Sequence, residues 1–143
     1  MNAPRNISGR RLVAGTARGT TAVLQAPLSL WGGFDPASGR IIDVHHPQHG
    51  LQIAGHIVVM PGGRGSSSSA SVLLESVRLG RHPLALVLAE PDPVLVIGAL
   101  VAADLYRVAV PVVRIGAAEL AAVPDGANVR VDAMQSAANI VIA

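Results

Sequence analysis

The segment Pro61-Gly62-Gly63-Arg64-Gly65-Ser66-Ser67-Ser68-Ser69 constrains this chain more than any other, because a strand pattern runs into it and a helix pattern runs out. Upstream, His56-Ile57-Val58-Val59-Met60 is short, β-branched and stopped by a proline, as a buried strand is. Downstream, Ala70, Leu73, Leu74 and Val77 recur at spacings of three and four, and Gly80 stands where a left-handed cap ends a helix. A serine is expected to cap the helix start, with its hydroxyl and the free amides of the first turn facing the loop. Glycines admit a ligand close to the backbone, the helix N-terminus adds partial positive charge, and Arg64 adds a full one. The loop suits a carboxylate or a phosphate. It is not a Walker phosphate loop, since the chain contains no lysine.

Serine- and glycine-rich runs are commonly flexible linkers. Here the flanks argue for a structured ligand loop. Neither side is long enough for a comfortable domain of its own, and the apolar pattern resumes directly after the serines. A length of 143 residues suits one domain, divided here into a flexible N-terminus over 1–10 and a compact domain over 11–143.

Half the residues are hydrophobic but only 2% are aromatic, so Val, Leu, Ile and Ala must build the core. The stacking platforms of single-stranded nucleic-acid binders are largely missing. The sequence pI near 10.4 accompanies a formal net charge of only +2. All 11 basic residues are arginine, with no Lys, no Cys and one Tyr, so little titrates between histidine and arginine and a small excess drives the pI upward. The arginines are spread from Arg5 to Arg130 without a basic stripe, and no nucleic-acid partner is expected. Zero cysteines exclude disulfides and any Cys-ligated centre built from this chain. The polar N-terminus lacks a secretion signal, and the most apolar run, Val94 to Ala103, is too short to span a bilayer. A cytoplasmic protein without a membrane partner is expected.

Along the chain, Arg11 to Ala26 reads as one or two strands with a turn near Arg18-Gly19. Leu28 to Gly39 is a loop whose paired Gly32 and Gly33 suggest backbone close to a ligand. Ile41 to Val44 reads as a short strand and His45 to Gly50 as a turn. Pro83 to Ala89 reads as a buried strand, Val94 to Leu105 as a helix containing Gly98, and Val108 to Ile115 as a strand that Pro111 places near an edge or bulge. A short helix at Ala117 to Ala122 precedes strands at Asn128 to Asp132 and Asn139 to Ile142. The sum is a single, β-rich α/β domain.

His45, His46, His49 and His56 lie close together and invite a metal reading. Pro47 and Gly50 break the spacing that would put the imidazoles on one helical face, so turn-stabilising or substrate-contacting roles are expected and no metal site. Asp35 and Asp43 flank a turn, where their carboxylates can satisfy backbone donors. Glu75 is expected to face solvent. No Gly-x-Ser-x-Gly elbow accompanies Ser66.

Three motifs in order, Trp31-Gly32-Gly33-x-Asp35-Pro36-x-x-Gly39-x-Ile41-x-Asp43-x-x-His46-Pro47, then Pro61-x-Gly63-Arg64-Gly65-Ser66-Ser67, then Leu73-Leu74-Glu75, resemble the small subunit of the aconitase X family. The likeness runs from about Val13 to Ile115. It implies an aconitase-like swivelling β/β/α domain and a two-subunit dehydratase, a heterodimer inactive without its large subunit. The cysteines that bind an iron or iron–sulfur centre would lie on that large subunit. It further implies that Ser66 is the general base and Ser67 its hydrogen-bonding neighbour, with Arg64 clamping a substrate carboxylate and Gly65, Gly32 and Gly33 lining the substrate. Aconitase itself has an arginine directly after the serine pair, where this chain has Ser68. Two substrates suit the family: cis-3-hydroxy-L-proline, dehydrated to Δ1-pyrroline-2-carboxylate, and mevalonate 5-phosphate. The first is favoured, because a phosphate would recruit more basic residues than Arg64 alone. A non-catalytic, anion-binding module on the same fold is the remaining alternative.

Overall fold

The computed structural model describes residues 5–64 and 66–143. In chain order the elements are β1 (Arg5–Val13), β2 (Gly15–Val23), α1 (Leu30–Gly33), β3 (Phe34–Asp35), β4 (Arg40–Ile41), β5 (Ile57–Met60), α2 (Ser69–Arg78), β6 (Ala85–Leu88), α3 (Pro93–Tyr106), β7 (Val112–Arg114), α4 (Ala117–Ala122), β8 (Asn128–Ala133) and β9 (Ala137–Ile142). Seven strands close into a barrel in the order β1-β7-β6-β5-β2-β8-β9, while β3 and β4 form a separate two-stranded ribbon. The segment from β5 to β7 is a run of parallel strands joined by helices: β5 pairs parallel with β6, and β6 with β7.

Covering by helices explains why these strands read as unbroken apolar runs. Every residue of Ile57–Met60 and of Ala85–Leu88 is buried, since one face points into the barrel and the other lies under α2 and α3. Ile57, Val59, Ala85 and Val87 join Val129, Val131 and Ile140 in the barrel interior. Val58, Met60, Leu86 and Leu88 pack instead with Leu73, Val77, Leu95 and Ala99 of the helices. The antiparallel part is covered on one side only, and β8 accordingly alternates exposed and buried residues.

The boundaries of α2 and α3 follow local rules. After α2, Gly80 adopts φ +70°, its N–H donates to the Val77 carbonyl, and the Arg81 N–H donates to the Ser76 carbonyl. These are the two bonds of a Schellman cap. Asp92 caps α3, its Oδ1 accepting from the Val94 and Leu95 amides at 2.9 and 3.3 Å, with Pro93 in the first helical position. The Asp92 carboxylate also abuts Gly63, so this cap braces the loop that follows β5. Asp92→Ala is expected to lower stability by about 1 kcal/mol, read as a lower urea midpoint at unchanged m-value.

Gly98 lies inside α3, where a glycine costs about 1 kcal/mol relative to alanine. Its compensation is closeness: a Cβ there would lie 3.1 Å from both Cα and O of Ala70, in the first turn of α2. No helix among the described residues is long and apolar enough to cross a membrane.

Several sequence-based expectations are corrected. The N-terminal stretch 1–10 was set apart as flexible, yet Arg5–Val13 is a strand whose residues 5–10 pair with β9, so the domain extends at least to Arg5. Arg18-Gly19 is no turn; both residues lie within β2, opposite Arg130 and Val129. A Cβ at Gly19 would come within 2.8 Å of Leu84 Cδ1, the movable end of a side chain. The strand expected over Ile41 to Val44 ends at Ile41, because the Ile42 and Asp43 amides both turn to the Gly33 carbonyl. Pro111 precedes β7, which lies inside the barrel between β1 and β6, and the disturbance is the bulge at Arg11 to Val13 opposite Val112 and Val113.

Candidate active site

The site is assembled from the loop after β5, the start of α2, and the long excursion between β2 and β5. The first anchor is a bridge between Leu28 and Gly63, which ties the excursion to the loop. The second is Ser69, a buried residue whose Oγ accepts the Trp31 N–H at 3.2 Å. Trp31 and Gly32 depart from helical geometry within α1, with Gly32 at φ +78°, and that kink turns the Trp31 amide toward Ser69. Gly32 is exposed, and Gly33 is buried with its carbonyl receiving Ile42 N–H at 2.8 Å.

The serine run is ordered by backbone bonds. Ser66 Oγ accepts the Ser68 N–H at 3.1 Å, and the Ser66 carbonyl accepts the Ser69 N–H at 3.1 Å. A serine was expected to cap α2 with its hydroxyl; Ser68 holds the N-cap position, but its side chain makes no capping bond. Within the run itself, the hydroxyl that receives an amide of the helix start is that of Ser66, two residues earlier. Ser66 is half-buried and Ser67 exposed. Gly65 lies outside the described residues.

Arg64 is exposed on the wall of an open cleft of about 360 Å³, shared with Ala26, Pro27, Ser29, Asp43, His45, His46 and Pro47. The ion pair recorded among the described residues is Arg78–Glu75, so the Arg64 guanidinium has no carboxylate partner there. Another cleft, of about 470 Å³, lies on the outer face of β2, β8 and β9 and is lined by Arg18, Asn128 and Arg130. It carries no hydroxyl and no helix N-terminus, and the cleft at Arg64 is therefore the better candidate.

The nearby histidines and aspartates mostly hold the turn. His46 is buried, accepts the Gln48 N–H at Nδ1 and donates from Nε2 to the Ala26 carbonyl. Asp43 Oδ1 accepts the His45 N–H at 2.9 Å, and Asp35 Oδ1 accepts the Ala37 N–H at 3.1 Å. Hydrogen bonds from Ser38 and from the Ala37 amide hold the Asp35 carboxyl below its usual range. No group of three or more His, Asp or Glu residues able to hold a metal occurs among the described residues.

Glu75 faces outward and pairs with Arg78, whose hydrogen bond holds the Glu75 carboxyl below its usual range. Such a carboxyl adds stability that is in place above the ordinary carboxylate range and is lost as pH falls through the depressed value. Because the pair is solvent-exposed, Glu75→Gln is expected to shrink the stability difference between neutral and acid pH only slightly, measured by urea unfolding at the two pH values.

Two supports escaped sequence reasoning. Ser69 is one of four identical serines, and only the folded excursion distinguishes it. Asp92 was legible as a helix cap from the Asp-Pro pair, but not as the neighbour of Gly63.

A small barrel-and-helix domain thus carries an open cleft with the Arg64 guanidinium on its wall and, two residues further on, a serine hydroxyl bound to a backbone amide at the head of α2. Comparison with known proteins places it further: residues 6–140 match the aconitase X swivel domain, and the chain belongs to that family. The crystal structure of Thermococcus kodakaraensis aconitase X superposes with a TM-score of 0.85 at 30% identity, covering 97% of this chain and 98% of that one. A cis-3-hydroxy-L-proline dehydratase of Pseudomonas aeruginosa is 46% identical over 117 residues, which is 80% of this chain and 20% of that protein. A phosphomevalonate dehydratase small subunit of Methanothermobacter thermautotrophicus is 37% identical over 93 residues, 65% of this chain and 71% of that one. The chain thus spans about a fifth of the length of the hydroxyproline dehydratases that it matches. The relatives are named as dehydratases, and the expected resemblance and fold class are both borne out.

Proposed function

We propose that this chain is the small subunit of a two-subunit, aconitase X-type dehydratase acting on cis-3-hydroxy-L-proline, with Ser66 as the general base. The observation that carries the reading is the Ser68 N–H aimed at Ser66 Oγ at 3.1 Å, at the head of α2 and beside the Arg64 cleft. A serine hydroxyl is a poor base. It becomes competent only where its alkoxide is stabilised by donors already in place, and an amide, a helix N-terminus and a guanidinium are such donors. Arg64 holds the substrate carboxylate, with backbone at Gly65, Ser67, Gly32 and Gly33 lining the substrate. Ser66 then takes the proton from the carbon bearing that carboxylate. The electron pair left behind forms a carbon–carbon double bond as the neighbouring carbon loses hydroxide, which takes a proton from solvent to become water; with hydroxyproline the enamine so formed shifts a proton from nitrogen to carbon to give Δ1-pyrroline-2-carboxylate.

Activation of that hydroxyl lies outside this chain. The family implies an iron or iron–sulfur centre, and this chain's residues do not fit it: there is no cysteine and, among the described residues, no cluster of other ligands. The centre is assigned to the cysteine-bearing large subunit, and no step described for this chain passes through it.

Identity of 46% to a hydroxyproline dehydratase and the single arginine at the cleft support the substrate. Phosphomevalonate is the second reading, favoured by the 37% identity to a phosphomevalonate dehydratase small subunit. Mixing the chain with its cognate large subunit and assaying both substrates decides between them. Turnover of hydroxyproline alone supports the first reading, turnover of the phosphate ester alone supports the second, and turnover of neither removes both.

A further inference from the structure

We infer that Trp31, Ile42 and Val44 form the docking collar by which this domain seats on the large subunit. The inference rests on the assignment of a two-subunit enzyme. These side chains are 58%, 46% and 70% exposed, unusual for large apolar groups, and Trp31 is the only tryptophan in the chain. They are drawn together by backbone bonds. Ile42 N–H donates to the carbonyl of Gly33, two residues from Trp31, and Val44 follows Asp43, which lines the cleft with Arg64. Two of the three apolar residues are thus chain neighbours of Asp43, which lines the polar cleft, and the third is tied to them through Gly33. Interfaces have this anatomy, with Trp enriched at their energetic centres.

The occupant follows from position. Trp31 N–H is bonded to Ser69, three residues after the proposed base Ser66, so the collar is anchored at the start of the helix that follows the catalytic loop. In the Pseudomonas relative, four-fifths of the chain lies outside the matched segment, so the domain there is joined to a much larger body of protein. A second apolar face, Ile97, Leu100, Val101 and Leu105 on the outer side of α3, is separate and serves as the internal comparison.

The test measures affinity of the purified chain for its cognate large subunit by sedimentation velocity, with 5-fluorotryptophan incorporated so that Trp31 gives one ¹⁹F resonance. Trp31→Ala and Val44→Asp are each expected to weaken binding by roughly 30-fold or more. Both positions are exposed, so thermal unfolding of these variants should match the parent. Leu105→Asp and Ser66→Ala should bind like the parent, and the Trp31 resonance should shift on mixing. Parent-like binding by both collar variants, weakening by Leu105→Asp alone, or an unmoved resonance in the complex overturns the collar. Loss of self-association instead of large-subunit binding in Val44→Asp gives the surface to a second copy and equally overturns it. Failure of the base assignment is read separately, as full activity in an assembled Ser66→Ala complex.

Discussion

Ser66→Ala, assembled with the large subunit, is expected to lose turnover by about 10²–10⁴-fold, the range that a positioned general base contributes. The loss should fall on kcat with little change in KM, because the proposed mechanism gives the hydroxyl to proton transfer and leaves substrate binding to Arg64 and the loop backbone. Stability should barely move: Ser66 Oγ accepts one amide bond at the half-buried edge of the loop, and water can replace it. Steady-state kinetics and a thermal melt on the same preparation separate the two effects. Parent-like kcat would remove Ser66 from the chemistry whatever the fold does.

The other large effect is expected at Gly98, on the face of α3 packed against the start of α2. Gly98→Val inserts three carbons where a single Cβ would already stand 3.1 Å from Ala70 backbone atoms and 3.3 Å from Leu73 Cδ2. Overpacking of this kind costs about 1–3 kcal/mol, and the upper end is expected because two of the opposing atoms are backbone. That corresponds to a fall in Tm of roughly 8 °C. Ala70 directly follows Ser69, so α2 must move at the turn that bears the serines, and kcat should drop with stability. Gly98→Ala is the paired control. Its helix propensity gain of about 1 kcal/mol offsets a few tenths of an ångström of displacement, so stability should stay near the parent value. Differential scanning calorimetry and kinetics on the two variants read both outcomes.

The strand–loop–helix unit around residues 57–80 was legible because three local signals agreed: an apolar run stopped by Pro61, a helical period from Ala70, and a glycine at position 80. The helix expected over Val94 to Leu105 is α3, and Ala117 to Ala122 is a helix as read. What escaped was nonlocal. Arg5 to Arg10 carry almost no apolar alternation, and only the ladder with β9, more than a hundred residues away, makes them a strand. Ile42 and Val44 look like strand residues by type, yet the Asp43 carboxylate takes the His45 amide and the chain turns outward. Gly19 signalled a turn by composition and serves a close contact instead. Within the candidate site, the loop followed from residue types. Which of four adjacent serines accepts the Ser68 amide and which pins Trp31 did not, and the second depends on a partner 38 residues back in the chain.

Barrel closure bears on self-association. Each of the seven barrel strands has a hydrogen-bonded neighbour on either flank, so the barrel offers no raw margin onto which a sister molecule could add by strand exchange. The β3–β4 ribbon lies outside that closure, and its two-residue strands are too brief to template stacking into fibrils.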